Sequence, residues 1–168
     1  MNPTYHSLGD HSESIQIDFD PTVISYRDLL TRFWEAHDPS AGSWSTQYKA
    51  AIFYQTDEQK RLAMETKDEV EAAHHIKVKT EILPLSRFYA AEAYHQKYGL
   101  RGHKEFLKEF RAIYPTDEAL MNSTAAARVN GYVSGYGSYA TLQEEIDKLG
   151  LSLEAQQKLM EIAKRNAR

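Results

Sequence analysis

The chain opens with side chains able to move a proton: the phenol of Tyr5, the imidazoles of His6 and His11, and the carboxyl of Glu13. Glu13 is the sharpest candidate, because it stands directly before a run in which Ile15, Ile17 and Phe19 alternate with Ser14, Gln16 and Asp18. That alternation is the pattern of a half-buried strand. A carboxyl held on such a strand and partly buried would stay protonated and serve as a proton donor. The plainer alternative is a surface carboxylate that caps the strand. His6, His11 and Glu13 are also conceivable metal ligands, but their spacing matches no tetrahedral motif and no metal is expected.

The elements that must position these groups follow in order. Asp20-Pro21 closes the first strand, and Ser25 is a helix N-cap ahead of Leu29, Leu30, Phe33 and Trp34, which share one face. The helix stops near His37-Asp38-Pro39, and a small polar loop at 40–46 carries Trp44. A tryptophan there is either a lid on the core or one wall of a small apolar pocket. Gln47-Tyr48 leads into an apolar run at 50–54, read as a buried strand, and a charged helix is expected over 58–73. Clean alternation at 76–82 gives a third strand that Pro84 ends, and aromatics at helical spacing give a helix over 88–98. Further helices are expected over 104–113, 118–128, 141–149 and 153–165, the last capped by Ser152, with a glycine- and tyrosine-rich loop at 130–139. This order reads as an α/β (α+β) chain, a mixed sheet with helices packed on it and a helical C-terminal extension. The expected division is a core at 1–103 and an extension at 104–168.

Composition narrows the function classes. With 42% hydrophobic and 26% charged residues over 168 positions and a net charge of −4, the chain has enough apolar residues for a core and no basic block. Nucleic acid and anionic membrane are therefore not expected partners. No apolar run approaches the roughly 18 residues of a membrane helix, and the N-terminus lacks a signal-peptide core, so a soluble cytoplasmic protein is expected. There is no cysteine. Disulfides, thiolate metal sites and a thiol nucleophile are thus excluded within this chain. His74-His75 suits a helix C-terminus, and Glu92 with His95 forms either a supporting pair near a site or a surface pair.

Taken together, Pro3-Thr4-Tyr5, Gly9-Asp10-His11-Ser12-Glu13, Asp20-Pro21-Thr22-Val23-Ile24-Ser25-Tyr26, Phe33-Trp34-Glu35-Ala36-His37-Asp38-Pro39, Gln47-Tyr48 and the 91–98 segment resemble the A-type peptide methionine sulfoxide reductases in order and approximate spacing. The likeness covers about residues 2–103, with an echo in Asn130-Gly131-Tyr132, and the tail after Arg101 is similar to the longer animal-type members. The resemblance implies a thiol-dependent return of the S epimer of methionine sulfoxide, free or in proteins, to methionine. It implies no bound cofactor, with thioredoxin or another thiol as reductant. In the family a cysteine thiolate attacks the sulfoxide sulfur, a protonated glutamate donates to the oxygen, and two tyrosines hydrogen-bond it. Those roles fall on Glu13, Tyr5 and Tyr48, with His11 as a supporting neighbour and Trp44, or Tyr132, near the substrate.

The departures from the family pattern set further expectations. The family's Gly-Cys-Phe-Trp-Gly segment, which precedes its Asn-Pro-Thr-Tyr motif, is absent, and with it the nucleophile, the first strand and the following helix. The resemblance thus implies a shortened form, by truncation or by nature, that is inactive alone, and whose bare sheet edge and uncovered groove lead to self-association, to occupation by the C-terminal helices or to poor solubility. The alternative is a non-catalytic remnant that binds methionine sulfoxide or a partner chain. The family's acidic residue before Gln-Tyr has no counterpart in Gly42-Ser43-Trp44-Ser45-Thr46, and no recycling cysteine stands near Val133.

Overall fold

A computed structural model describes residues 11–166. The chain forms two compact units, Met1–Ala90 and Ala91–Arg168.

The first unit is built on a βαβ arrangement. Strand β1 (Ala51–Tyr54) runs into helix α2 (Asp57–His74) and back to strand β2 (Glu81–Pro84), which pairs with β1 in parallel, Ile52 opposite Ile82. Parallel strands cannot be joined by a tight turn, so a helix of this length is the natural return. Thr56 caps α2 by accepting from the Gln59 amide, and His75 closes it in the left-handed region at φ 54°. Helix α1 (Tyr26–Glu35) lies against α2, its start fixed by a capping box between Ser25 and Asp28. Leu30, Trp34, Ile52, Ala63 and Val78 form the core between these elements, each large apolar side chain contributing about 1.5–3 kcal/mol on burial. Trp34 Nε1 donates to Thr66 Oγ1 at 3.0 Å, and His37 bridges the Phe33 carbonyl (2.9 Å) and Thr80 Oγ1 (3.0 Å).

The second unit is helical: α3 (Tyr98–Arg101), α4 (Lys104–Ile113), α5 (Asp117–Asn122), α6 (Thr124–Val133), α7 (Tyr139–Glu145) and α8 (Leu153–Asn166). Leu100, Phe106, Phe110, Leu120, Leu142 and Leu159 fill its centre. Ser152 does cap α8, its hydroxyl accepting from the Ala155 amide at 3.3 Å while Glu109 receives the Ser152 amide and hydroxyl at 2.7 and 2.6 Å.

The α/β class with C-terminal helices holds, but several elements differ from the sequence reading. Residues 14–19 form no strand, and Ile15 and Ile17 are exposed. Among the described residues no strand lies beside them, and a run without a ladder partner leaves its backbone groups to solvent whatever its alternation. The sheet among the described residues is accordingly two-stranded and parallel rather than mixed. At 76–82 the alternation reports burial correctly, with Val78 and Thr80 inside, but ladder pairing starts only at Glu81 because the Lys79 amide donates to the Pro39 carbonyl at 2.8 Å. The helix expected over 88–98 is absent apart from a 3-10 turn at Ala93–His95, because Gln96 is extended and Lys97 sits in the left-handed region at φ 53°. Buried Ser123 divides the helix expected over 118–128, ending α5 and accepting from the Ala126 amide as the cap of α6. Helix α6 continues to Val133, so the loop expected at 130–139 shrinks to 134–138.

Candidate active site

Ahead of β1, a serine-rich loop sets the direction of Tyr48. Ser43 and Ser45 hydrogen-bond one another, and the Tyr48 amide donates to Ser45 Oγ at 3.4 Å. Lys49 then pairs with Glu81 on β2 at 3.0 Å, which ties the end of this loop to the sheet. The N-terminal segment is seated against the same loop by two bonds: Ser12 Oγ donates to the Thr46 carbonyl at 2.8 Å, and the Glu13 amide donates to the Gln47 carbonyl at 2.8 Å. Glu13 is therefore placed by backbone pairing with residue 47 and not by the strand that its flanking sequence suggests.

The side chains meet at Gln47. Its amide nitrogen Nε2 donates to Glu13 Oε1 at 2.8 Å and to the Tyr48 phenol oxygen at 3.1 Å. The Trp44 indole lies over the Tyr48 ring, with centroids 5.0 Å apart and planes tilted by 35°. Glu13 is exposed, contrary to the partial burial expected of it, and Trp44 is 81% exposed. The loop is thus open to solvent, and Trp44 is no lid on the core. His11 has a different neighbour, packing edge-on against Tyr89 at 5.3 Å, with the Arg87 guanidinium 5.0 Å from that same ring. Tyr5 lies outside the described residues.

A carboxyl and a phenol gathered within hydrogen-bonding reach of one carboxamide nitrogen, beside an indole face, suit an acceptor oxygen attached to a small apolar group. Gln47 was legible in the sequence only as half of the Gln47-Tyr48 pair. A glutamine neither titrates nor attacks, so nothing in its type marks a role. Its position immediately ahead of β1 was the available signal.

Residues 1–128 match the family described as peptide methionine sulfoxide reductase. The chain belongs to that family. A peptide methionine sulfoxide reductase of Drosophila melanogaster is 39% identical over 152 residues, which cover 89% of this chain and 61% of the relative. The one named MsrA in Methanosarcina acetivorans is 42% identical over 107 residues, 57% of this chain and 57% of the relative. One from Brassica napus is 36% identical over 117 residues, 64% of this chain and 46% of the relative. The chain thus spans about half to three fifths of these reductases' lengths. Residues 115–164 also match a family described as selenoprotein methionine sulfoxide reductase A, helical domain.

That helical match runs from α5 into α8, where Tyr132 stands. Its ring is buried and its hydroxyl donates to Glu145 Oε1 at 2.7 Å, while Glu145 also pairs with Arg128. Burial first, and then the Glu145 carboxylate, push the Tyr132 phenol up to about 12. Within its own unit this tyrosine, a candidate for the substrate site in the sequence reading, is engaged in holding α6 to α7. Among the described residues, no helix is long and apolar enough to cross a membrane.

Proposed function

We propose that this chain carries the sulfoxide-oxygen half of a peptide-methionine (S)-S-oxide reductase site. The observation that carries the reading is the Gln47 amide joining Glu13 to Tyr48, at positions that fit the reductase motifs. In this reading a thiolate adds to the sulfoxide sulfur while Glu13 protonates the departing oxygen. The hydroxyl so formed then passes from the methionine sulfur to the attacking sulfur as the bond between the two sulfurs breaks, so that methionine leaves and the attacking sulfur is left oxidised as a sulfenic acid. Tyr48, together with Tyr5, donates hydrogen bonds to the oxygen as charge develops on it. Trp44 walls the methyl group, and His11 supports the segment that bears Glu13.

The thiolate comes from outside this chain, which contains no cysteine. Serine and tyrosine hydroxyls are far poorer nucleophiles toward the sulfoxide sulfur. The chain alone is therefore inactive in this reading and binds methionine sulfoxide in proteins or free. Thioredoxin or another thiol resolves the sulfenic acid when the cysteine is supplied. We place this work in the cytoplasm, as repair of methionine oxidised under stress. The exposed Ile15 and Ile17 support self-association of the isolated chain.

Calorimetric titration with methionine-S-sulfoxide and with methionine tests the site. The sulfoxide should bind more tightly, and Glu13→Gln combined with Tyr48→Phe should remove most of the difference. Equal binding of the two ligands would remove the reading. A chain extended at its N-terminus by a Gly-Cys-Phe-Trp-bearing segment should turn over with dithiothreitol. If the extended chain binds sulfoxide and stays inactive, the non-catalytic binder is the correct account.

A further inference from the structure

We propose that Gln47 is a positioning residue that fixes which atoms of Glu13 and Tyr48 present hydrogen to a bound sulfoxide oxygen; the inference rests on the sulfoxide-site reading above. The Gln47 amide nitrogen can only donate, and it reaches Glu13 Oε1 at 2.8 Å and the Tyr48 oxygen at 3.1 Å. Both oxygens are therefore acceptors at these contacts. When Glu13 carries a proton, this contact favours Oε1 as the carbonyl oxygen, the better acceptor, and so favours the proton on Oε2. The Tyr48 hydrogen likewise cannot be given to Gln47 Nε2. One neutral amide thus turns a carboxyl and a phenol into an oriented pair of donors.

The amide also serves after proton transfer. Once Glu13 has given up its proton, Oε1 is part of a carboxylate, and a hydrogen bond from an N–H to a charged oxygen is stronger than one to a neutral carbonyl. Gln47 does not titrate, so its hold survives both charge states of Glu13. The same residue anchors Glu13 through the main chain, where the Glu13 amide donates to the Gln47 carbonyl at 2.8 Å. The Ser12–Thr46 bond at 2.8 Å adjoins it. Neither of these contacts uses the Gln47 side chain, so altering that side chain leaves the segment seated.

The test compares Gln47→Leu and Gln47→Glu with the unaltered chain, using titration by methionine-S-sulfoxide and by methionine and amide spectra to show that each variant is folded. Losing the paired donors should lower the preference for sulfoxide over methionine about tenfold in Gln47→Leu. Gln47→Glu has nearly the same shape but only accepts, and it should draw the Glu13 and Tyr48 hydrogens onto itself, losing at least as much preference. Methionine affinity should stay within about twofold in both variants. A merely structural role would be filled by the near-isosteric glutamate, so an unchanged preference in Gln47→Glu, or a parallel loss of both ligands in either variant, would overturn the assignment. If the unaltered chain shows no preference at all, the sulfoxide-site reading fails, and the Gln47 assignment falls with it.

Discussion

Thr66 shows how single side chains hold the first unit. It is nearly fully buried, accepts from Trp34 Nε1 at 3.0 Å, and donates back to the Leu62 carbonyl at 2.9 Å. Thr66→Val keeps the volume and removes the acceptor, leaving a buried indole N–H unpaired, so chemical denaturation should show a loss of about 1–3 kcal/mol. Tyr132 gives a pH-dependent counterpart in the second unit. Its folded pKa of about 12 lies above the ordinary phenol value of 10.0, so the folded state keeps a proton that the unfolded chain loses first. The stabilisation is complete below about pH 10 and disappears as pH rises toward 12, amounting to at most about 3 kcal/mol. The stability gap between the chain and Tyr132→Phe, measured by denaturation at several alkaline pH values, should narrow across that window. At this scale the sequence was most informative where chemistry has a type: Glu13 and Tyr48 announced themselves as acid and phenol. Thr66 did not, because a threonine inside a charged helix carries no mark of the indole that it will meet.

Elements were legible where local signals sufficed. Ser25 caps α1 as expected, the charged helix expected over 58–73 is found as α2, and α4 covers the expected residues 104–113. They were misread where a partner decides. The alternation at 14–19 describes a strand only if another strand accepts it, and among the described residues none does. Aromatic spacing at 88–98 describes a helix, yet the Leu85 amide donates to the Tyr54 carbonyl at 2.8 Å, Tyr89 packs on His11, and Lys97 turns left-handed. Gly137 tests an element boundary directly. It has φ +84°, and a Cβ there would lie 2.7 Å from the Tyr132 ring. Gly137→Ala combines left-handed strain with a clash against a buried ring and should destabilise the second unit by about 1–3 kcal/mol in a thermal or urea melt. An unchanged melt would mean that the loop at 134–138 repacks without cost.

For the molecule as a whole, composition established an absence more firmly than any presence. A chain of 168 residues with no cysteine belongs to the peptide methionine sulfoxide reductase family and, in the proposed reading, carries only the oxygen-binding half of a site. Its exposed apolar residues, Ile15 at 84% and Ile17 at 52%, lead us to expect concentration-dependent self-association. Sedimentation velocity should show it, and a monodisperse monomer at high concentration would contradict it. The most direct measurement is parallel turnover and binding on the purified chain with methionine-S-sulfoxide and dithiothreitol. The expected result is selective binding of sulfoxide over methionine, diminished by Glu13→Gln, with no methionine formed. Sustained methionine production by chain freed of contaminating reductase, or binding indifferent to the sulfoxide oxygen, would contradict it.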